Sequence, residues 1–236
     1  MRILLLNANT TAAMTDRMAG IARALAPSVE WVPATARFGA AYIATRAAAA
    51  IAAHAALDAA APFAGQVDRI LLACFGDPGL DALREATGLP VTGMADASIR
   101  RAAAGGRRVA VLTGGLTWEA MLTEFAAARG MSVATVRAVP MTGAEIAADP
   151  GAAIGPIAAL ARSAASASGA GAVLLGGAGL VGLAPAIAAA SGLPVLDSLT
   201  EAVAACLTEP VMSPAAPPEA PMAGLSPALA AVLRRT

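Results

Sequence analysis

Short apolar runs alternate along the chain with longer stretches of helical composition. The runs are RILLLN (2–7), VEWVP (29–33), RILLAC (69–74), PVTG (90–93), RVAVLT (108–113), SVATVR (132–137), AVLLGG (172–177) and PVLD (194–197). Runs this short and this continuously apolar predict strands covered on both faces. The stretches between them, rich in Ala, Leu, Arg and Glu, predict helices of about 10–20 residues. Strand–helix alternation from end to end is the signature of an α/β fold with parallel sheets.

The pattern repeats. LLACFGDPGLDALREATGLPV (71–91) aligns with LLGGAGLVGLAPAIAAASGLPV (174–195) after a one-residue insertion, and RILLLNANTT (2–11) aligns with RVAVLTGGLT (108–117). The chain therefore reads as two pseudo-symmetric α/β domains, residues 1–104 and 105–208, dividing near Gly105-Gly106. A Pro/Ala-rich tail follows at 209–236: 209–224 reads as a linker or extended arm, and SPALAAVLRRT as a short docking helix. In such sheets ligands bind beyond the carboxyl ends of the strands, which predicts an active site in a cleft between the domains, lined by matching loops.

Composition removes several chemistries. The 236 residues carry sixteen basic and sixteen acidic side chains, with no basic stripe and few aromatics, so neither nucleic acid nor a membrane surface is an expected partner. The first apolar run stops at Asn7, too soon for a signal peptide, and two unpatterned cysteines suit a reducing compartment; the expectation is a cytoplasmic protein. Alanine-rich surfaces permit self-association into a homo-oligomer. Every basic side chain is arginine, so a lysine Schiff base and a P-loop lysine are excluded. One histidine and two cysteines cannot supply the usual structural zinc sets. His54, four residues before Asp58 on a helical stretch, reads as half of a surface pair.

What remains is carboxylates, hydroxyls, backbone amides and a thiol. Cys74 ends a predicted strand and precedes Phe75, Gly76, Asp77, Pro78 and Gly79, a turn leading into a helix. A thiol near a helix N-terminus is expected to have its pKa lowered toward neutrality, fit to act as base or nucleophile. Asp77 could assist proton transfer, or could serve the turn. Cys206, in LTEAVAACL, reads as a packing residue. Asn7, Ala8, Asn9, Thr10 and Thr11 follow the first strand and offer donors for an anionic group; Thr113, Gly114 and Gly115 stand at the duplicate place. Gly76 and Gly179 suit tight turns.

NANTT, ACFGDPGLDALRE and LLGGAGLVGL together resemble the aspartate/glutamate racemase superfamily, the hydantoin racemases in particular, over residues 1–207. The resemblance implies two α/β domains enclosing a small carboxylate or hydantoin-like substrate and a reaction without a cofactor. It also implies two cysteines on opposite faces of the acidic carbon. It assigns catalysis to Cys74 and substrate contacts to Asn7, Thr10, Phe75, Gly76, Thr113, Gly114, Gly177 and Ala178. The second cysteine, expected in an LGCAG-type motif, is Gly177 here, and the sequence also has Ala8 for a frequent proline and Gly114 for a threonine. The implied activity is cofactor-independent racemisation next to a carbonyl through an enolate. With one thiol, two other readings stay open: an arylmalonate-type decarboxylase with Cys74 as its single proton donor, and a non-catalytic small-molecule binder on the same scaffold.

Overall fold

The computed structural model describes residues 1–141, 145–146, 149–208 and 222–233. They form two compact units, Met1–Gly93 with Cys206–Thr236, and Met94–Ala205. Most of the predicted linker, residues 209–221, lies outside the described residues.

The first unit runs β1 (Arg2–Asn7), α1 (Ala12–Leu25), β2 (Glu30–Thr35), α2 (Arg46–Ala60), β3 (Arg69–Leu72), α3 (Leu80–Thr87) and β4 (Val91–Gly93). The strands are parallel in the order β2-β1-β3-β4. Ile3, Leu4, Leu5 and Leu6 are all fully buried, as a central strand with helices on both sides requires. Each such side chain contributes roughly 1.5–3 kcal/mol. Pro33, which has no N–H to give a ladder, sits on the edge strand β2 opposite Leu5.

The alanine-rich α2 starts at Thr45, whose hydroxyl accepts the Ala48 N–H at 3.1 Å, and it buries Ala52, Ala55, Ala56, Ala59 and Ala60. Asp58 is buried on the same face. The expected His54–Asp58 surface pair is not formed: Asp58 binds Arg37 Nη2 at 2.7 Å, and His54 stacks edge-on against Phe38. A helix of alanines gives the sequence no contrast from which to tell its inner face. Burial works to raise the Asp58 pKa, yet hydrogen bonds from Ser226 and Arg37, with the charges of Arg37 and His54, hold it below the usual value. Ser226 also begins the last helix, α9 (Pro227–Leu233), where Leu229 and Val232 pack with Ala61. The docking helix predicted for the tail is therefore present, on the first unit.

The second unit contains α4 (Met94–Ala102), β5 (Val109–Gly114), α5 (Thr117–Ala128), β6 (Val133–Val139), α6 (Pro150–Ser168), β7 (Ala172–Gly176), α7 (Ala184–Ser191), β8 (Val195–Asp197) and most of α8 (Ser198–Thr208). Its parallel order, β6-β5-β7-β8, repeats that of the first sheet. Ala110, Leu112, Val173 and Leu175 pack with Ile157 and Ala161 of α6 and Ile187 of α7. The unit begins at Met94, eleven residues before the division read from the sequence, because α4 packs on β7 and pairs Arg101 with Glu201 of α8 at 2.9 Å. All eight predicted strands are present. Among the described residues, no helix is long and apolar enough to cross a membrane.

Candidate active site

In the order β2-β1-β3-β4 the chain reverses its direction of travel across the sheet between β1 and β3. A parallel sheet opens a crevice at such a switch point, beyond the carboxyl ends of the two strands. The NANTT and ACFGDPG loops leave β1 and β3 there, so Asn7, Thr10, Cys74, Phe75 and Gly76 gather at one end of the first sheet. The second sheet reverses between β5 and β7 and places Thr113, Gly114, Gly177 and Ala178 in the same way.

The NANTT loop is built on its own side chains. The Asn7 amide nitrogen donates to Asn9 Oδ1 at 2.9 Å, Thr15 Oγ1 at 3.0 Å and the Thr11 carbonyl at 3.3 Å, while its Oδ1 accepts the Asn9 N–H at 3.1 Å. Asn7 is fully buried, and its side chain organises the loop. Two short polar residues in sequence can bind each other's backbone as readily as a ligand, a choice that composition does not decide. The Thr10 N–H is likewise used, donating to the Ala40 carbonyl at 3.1 Å, and Thr11 Oγ1 donates to the Ala41 carbonyl at 2.8 Å. These bonds anchor the segment that carries Tyr42.

Cys74 follows the last β3 pairing. The Ala73 N–H donates to Leu6 O at 2.8 Å, the Asp77 N–H to Cys74 O at 3.0 Å, and the Leu80 N–H to Asp77 O at 3.1 Å, which leads into α3. The thiol is buried, and its pKa is pushed up to about 12, first by burial and then by the charge of Asp77. This reverses the lowering expected from the helix N-terminus. The dipole effect is confined to the first turn, and α3 begins only at Leu80, whereas lost hydration acts on the thiolate directly. At neutral pH Cys74 carries its proton. Tyr42 is close enough for the thiol's charge to be felt: its pKa is raised by burial and then by Cys74. Sequence reading passed over Tyr42, although it is the only tyrosine in the chain. Phe75 is buried, and Gly76 is half-buried.

In the second unit the Leu180 N–H donates to Gly177 O at 2.9 Å, and the Leu183 N–H to Leu180 O at 3.2 Å, the same pair of bonds. Thr113 is buried, while Gly114, Gly177 and Ala178 are half-buried. Gly177 has φ 127°, a conformation that side-chain-bearing residues rarely adopt, yet a Cβ built on it meets nothing within 4 Å. Asp197, the nearest carboxylate in sequence, is engaged: Oδ2 accepts the Gly182 N–H at 2.6 Å, and Oδ1 accepts those of Leu199 and Thr200 at 2.9 and 3.1 Å. Among the described residues, no three His, Cys, Asp or Glu side chains are grouped to hold a metal ion.

Twin parallel sheets, each with loops leaving its switch point and a thiol on one of them, make this an α/β protein of duplicated design. The family model for Asp/Glu/hydantoin racemases matches residues 3–206, and the chain belongs to that family. It is similar to allantoin racemase from Pseudomonas fluorescens, with 30% identity, 95% of this chain and 100% of that one covered, and a TM-score of 0.88. A stretch of 90 residues is 38% identical to the hydantoin racemase of Pseudomonas sp. (strain NS671), spanning 37% of this chain and 36% of that protein. Arylmalonate decarboxylase shares the fold, with 20% identity, 88% and 91% of the two chains covered and a TM-score of 0.65.

Proposed function

We propose that the protein is a cofactor-independent racemase of hydantoin-type compounds, allantoin included, acting at the acidic carbon next to a ring carbonyl. The observation that carries this reading is a buried Cys74 on a hydrogen-bonded turn at the switch point of the first sheet, in a chain similar over 95% of its length to an allantoin racemase. Cys74 gives its proton to the enolate carbon on one face: the S–H bond breaks, a C–H bond forms, and a thiolate remains. In the reverse direction that thiolate takes the proton back. Backbone amides of the loop that follows β3 stabilise the enolate oxygen. The enolate forms when a water molecule takes the proton from the acidic carbon and carries it off as hydronium; Gly177 has no side chain to do this, and a Cβ built on it meets nothing within 4 Å.

The test is incubation of enantiopure allantoin and 5-substituted hydantoins in D₂O with optical rotation and deuterium uptake followed together. Loss of rotation with incorporation supports the reading. Incorporation with configuration retained shows a one-sided site and counts against it.

The missing thiol at position 177 favours one second reading, decarboxylation of an arylmalonate-type acid. Loss of CO₂ creates the enolate without a base, and a single protonated Cys74 then suffices. Release of CO₂ from phenylmalonate, abolished in Cys74→Ala, would establish it; no release removes it.

A further inference from the structure

Both halves keep one carboxylate in the same place but bring it from opposite sides. On β4 the register partner of Leu72 is Gly93; on β8 the partner of the equivalent Leu175 is Asp197. In the loops Asp77 corresponds to Leu180, since each donates its N–H to the residue at the thiol position, Cys74 or Gly177. The second half thus has a strand aspartate reaching the loop, where Asp197 Oδ2 accepts the Gly182 N–H. The first half has a loop aspartate reaching the strand: a Cβ added at Gly93 would run into Asp77 Oδ2 and come within 2.8 Å of Leu80 Cδ2. Glycine at 93 is therefore the vacated half of an exchange.

Asp77 is also the only non-glycine residue with positive φ (47°) among the described residues, and it is buried. Aspartate tolerates this conformation better than most residues. In the first half alone, this carboxylate shares its turn with a thiol.

We propose that Asp77 is the positioning residue of the Cys74 loop: its carboxylate fills the slot that Asp197 fills in the other half, and from that slot, on the turn whose N–H binds Cys74 O, it acts on the thiol. Tyr42, on the segment after β2, is the other ionisable group that feels the charge of the thiol. A fixed anion opposes formation of a thiolate, in the same direction as burial.

The inference rests on Cys74 being the proton carrier, but its test needs no substrate, so it can fail separately from the racemase assay. Alkylation of Cys74 by iodoacetamide is followed from pH 7 to 11 by mass spectrometry, which resolves it from Cys206, with circular dichroism confirming the fold. Asp77→Asn is expected to shift the profile toward lower pH by about one unit, so that alkylation at pH 9 is roughly tenfold faster. An unchanged profile in the folded variant overturns the proposal. The slot is tested by exchange. Asp77→Leu and Gly93→Asp each lower Tm, and the pair together recovers most of the loss. Additive losses refute the shared slot. Should Asp77→Asn not fold, this exchange decides the proposal alone.

Discussion

The loops at 74–79 and 177–182 hold the same two turn hydrogen bonds at nearly the same lengths, and both follow the second strand of a switch point. They differ in where the backbone turns left-handed. Both loops have positive φ at their last position, Gly79 and Gly182; beyond that it falls on Gly76 and Asp77 in the first loop, leaving Cys74 in ordinary backbone, and on Gly177 itself in the second. The second loop has therefore lost more than a sulfur atom. Its backbone at the thiol position has moved to a conformation that a cysteine would hold only under strain. Duplication preserved the hydrogen-bonded frame, while the chemistry and the local φ diverged together.

The sharpest way to break this comparison is to remove the one thiol. Cys74→Ala is expected to lower turnover about a thousandfold, as loss of a positioned acid/base does, while Cys206→Ala retains activity. Equal losses in the two variants would deny Cys74 its special place.

The second prediction concerns pH. The Cys74 pKa rises from an ordinary 9.0 to about 12 in the folded protein. Between those values the unfolded chain releases a proton that the native state keeps, so stability is complete below pH 9 and falls as pH rises toward 12. The slope is at most about 1.4 kcal/mol per pH unit. Urea denaturation across this range should show it in the wild type and show a shallower slope in Cys74→Ala, where Tyr42 still contributes.

Gly93→Ala adds one carbon against Asp77 and Leu80, and overpacking of this kind costs about 1–3 kcal/mol. A thermal melt should fall by several degrees. No equivalent loss is expected from adding a methyl group at an exposed position. The mildest test restores the symmetry. Gly177→Cys has room for its side chain but carries the strain of φ 127°, about 1–3 kcal/mol. It should lower Tm and raise the rate of racemisation relative to the parent. A variant that melts lower with no gain in rate would count against any part for position 177 in the reaction.

The sequence pattern located the eight strands of the described residues and the turn that carries Cys74, because continuous apolar runs and Gly/Pro punctuation are local signals. Features set by tertiary contact were not legible. The direction of the Cys74 shift depends on burial and on Asp77 folding back over it. The inward use of Asn7 depends on Thr15, eight residues away. Asp58 is hidden on an alanine helix whose faces look alike until Arg37 and Ser226 arrive. The exchange between Gly93 and Asp77 needs the register of β3 and β4, which no stretch of sequence contains by itself.

The docking of α9 on the first unit has a consequence for biosynthesis. Met1–Gly93 emerges from the ribosome early, yet the helix that covers Ala61 and supplies Ser226 to Asp58 is made only after the whole second unit. The half of the molecule that is translated first is thus the half that is completed last. A nascent chain stalled near residue 205 would hold Cys74 in a unit still lacking one wall.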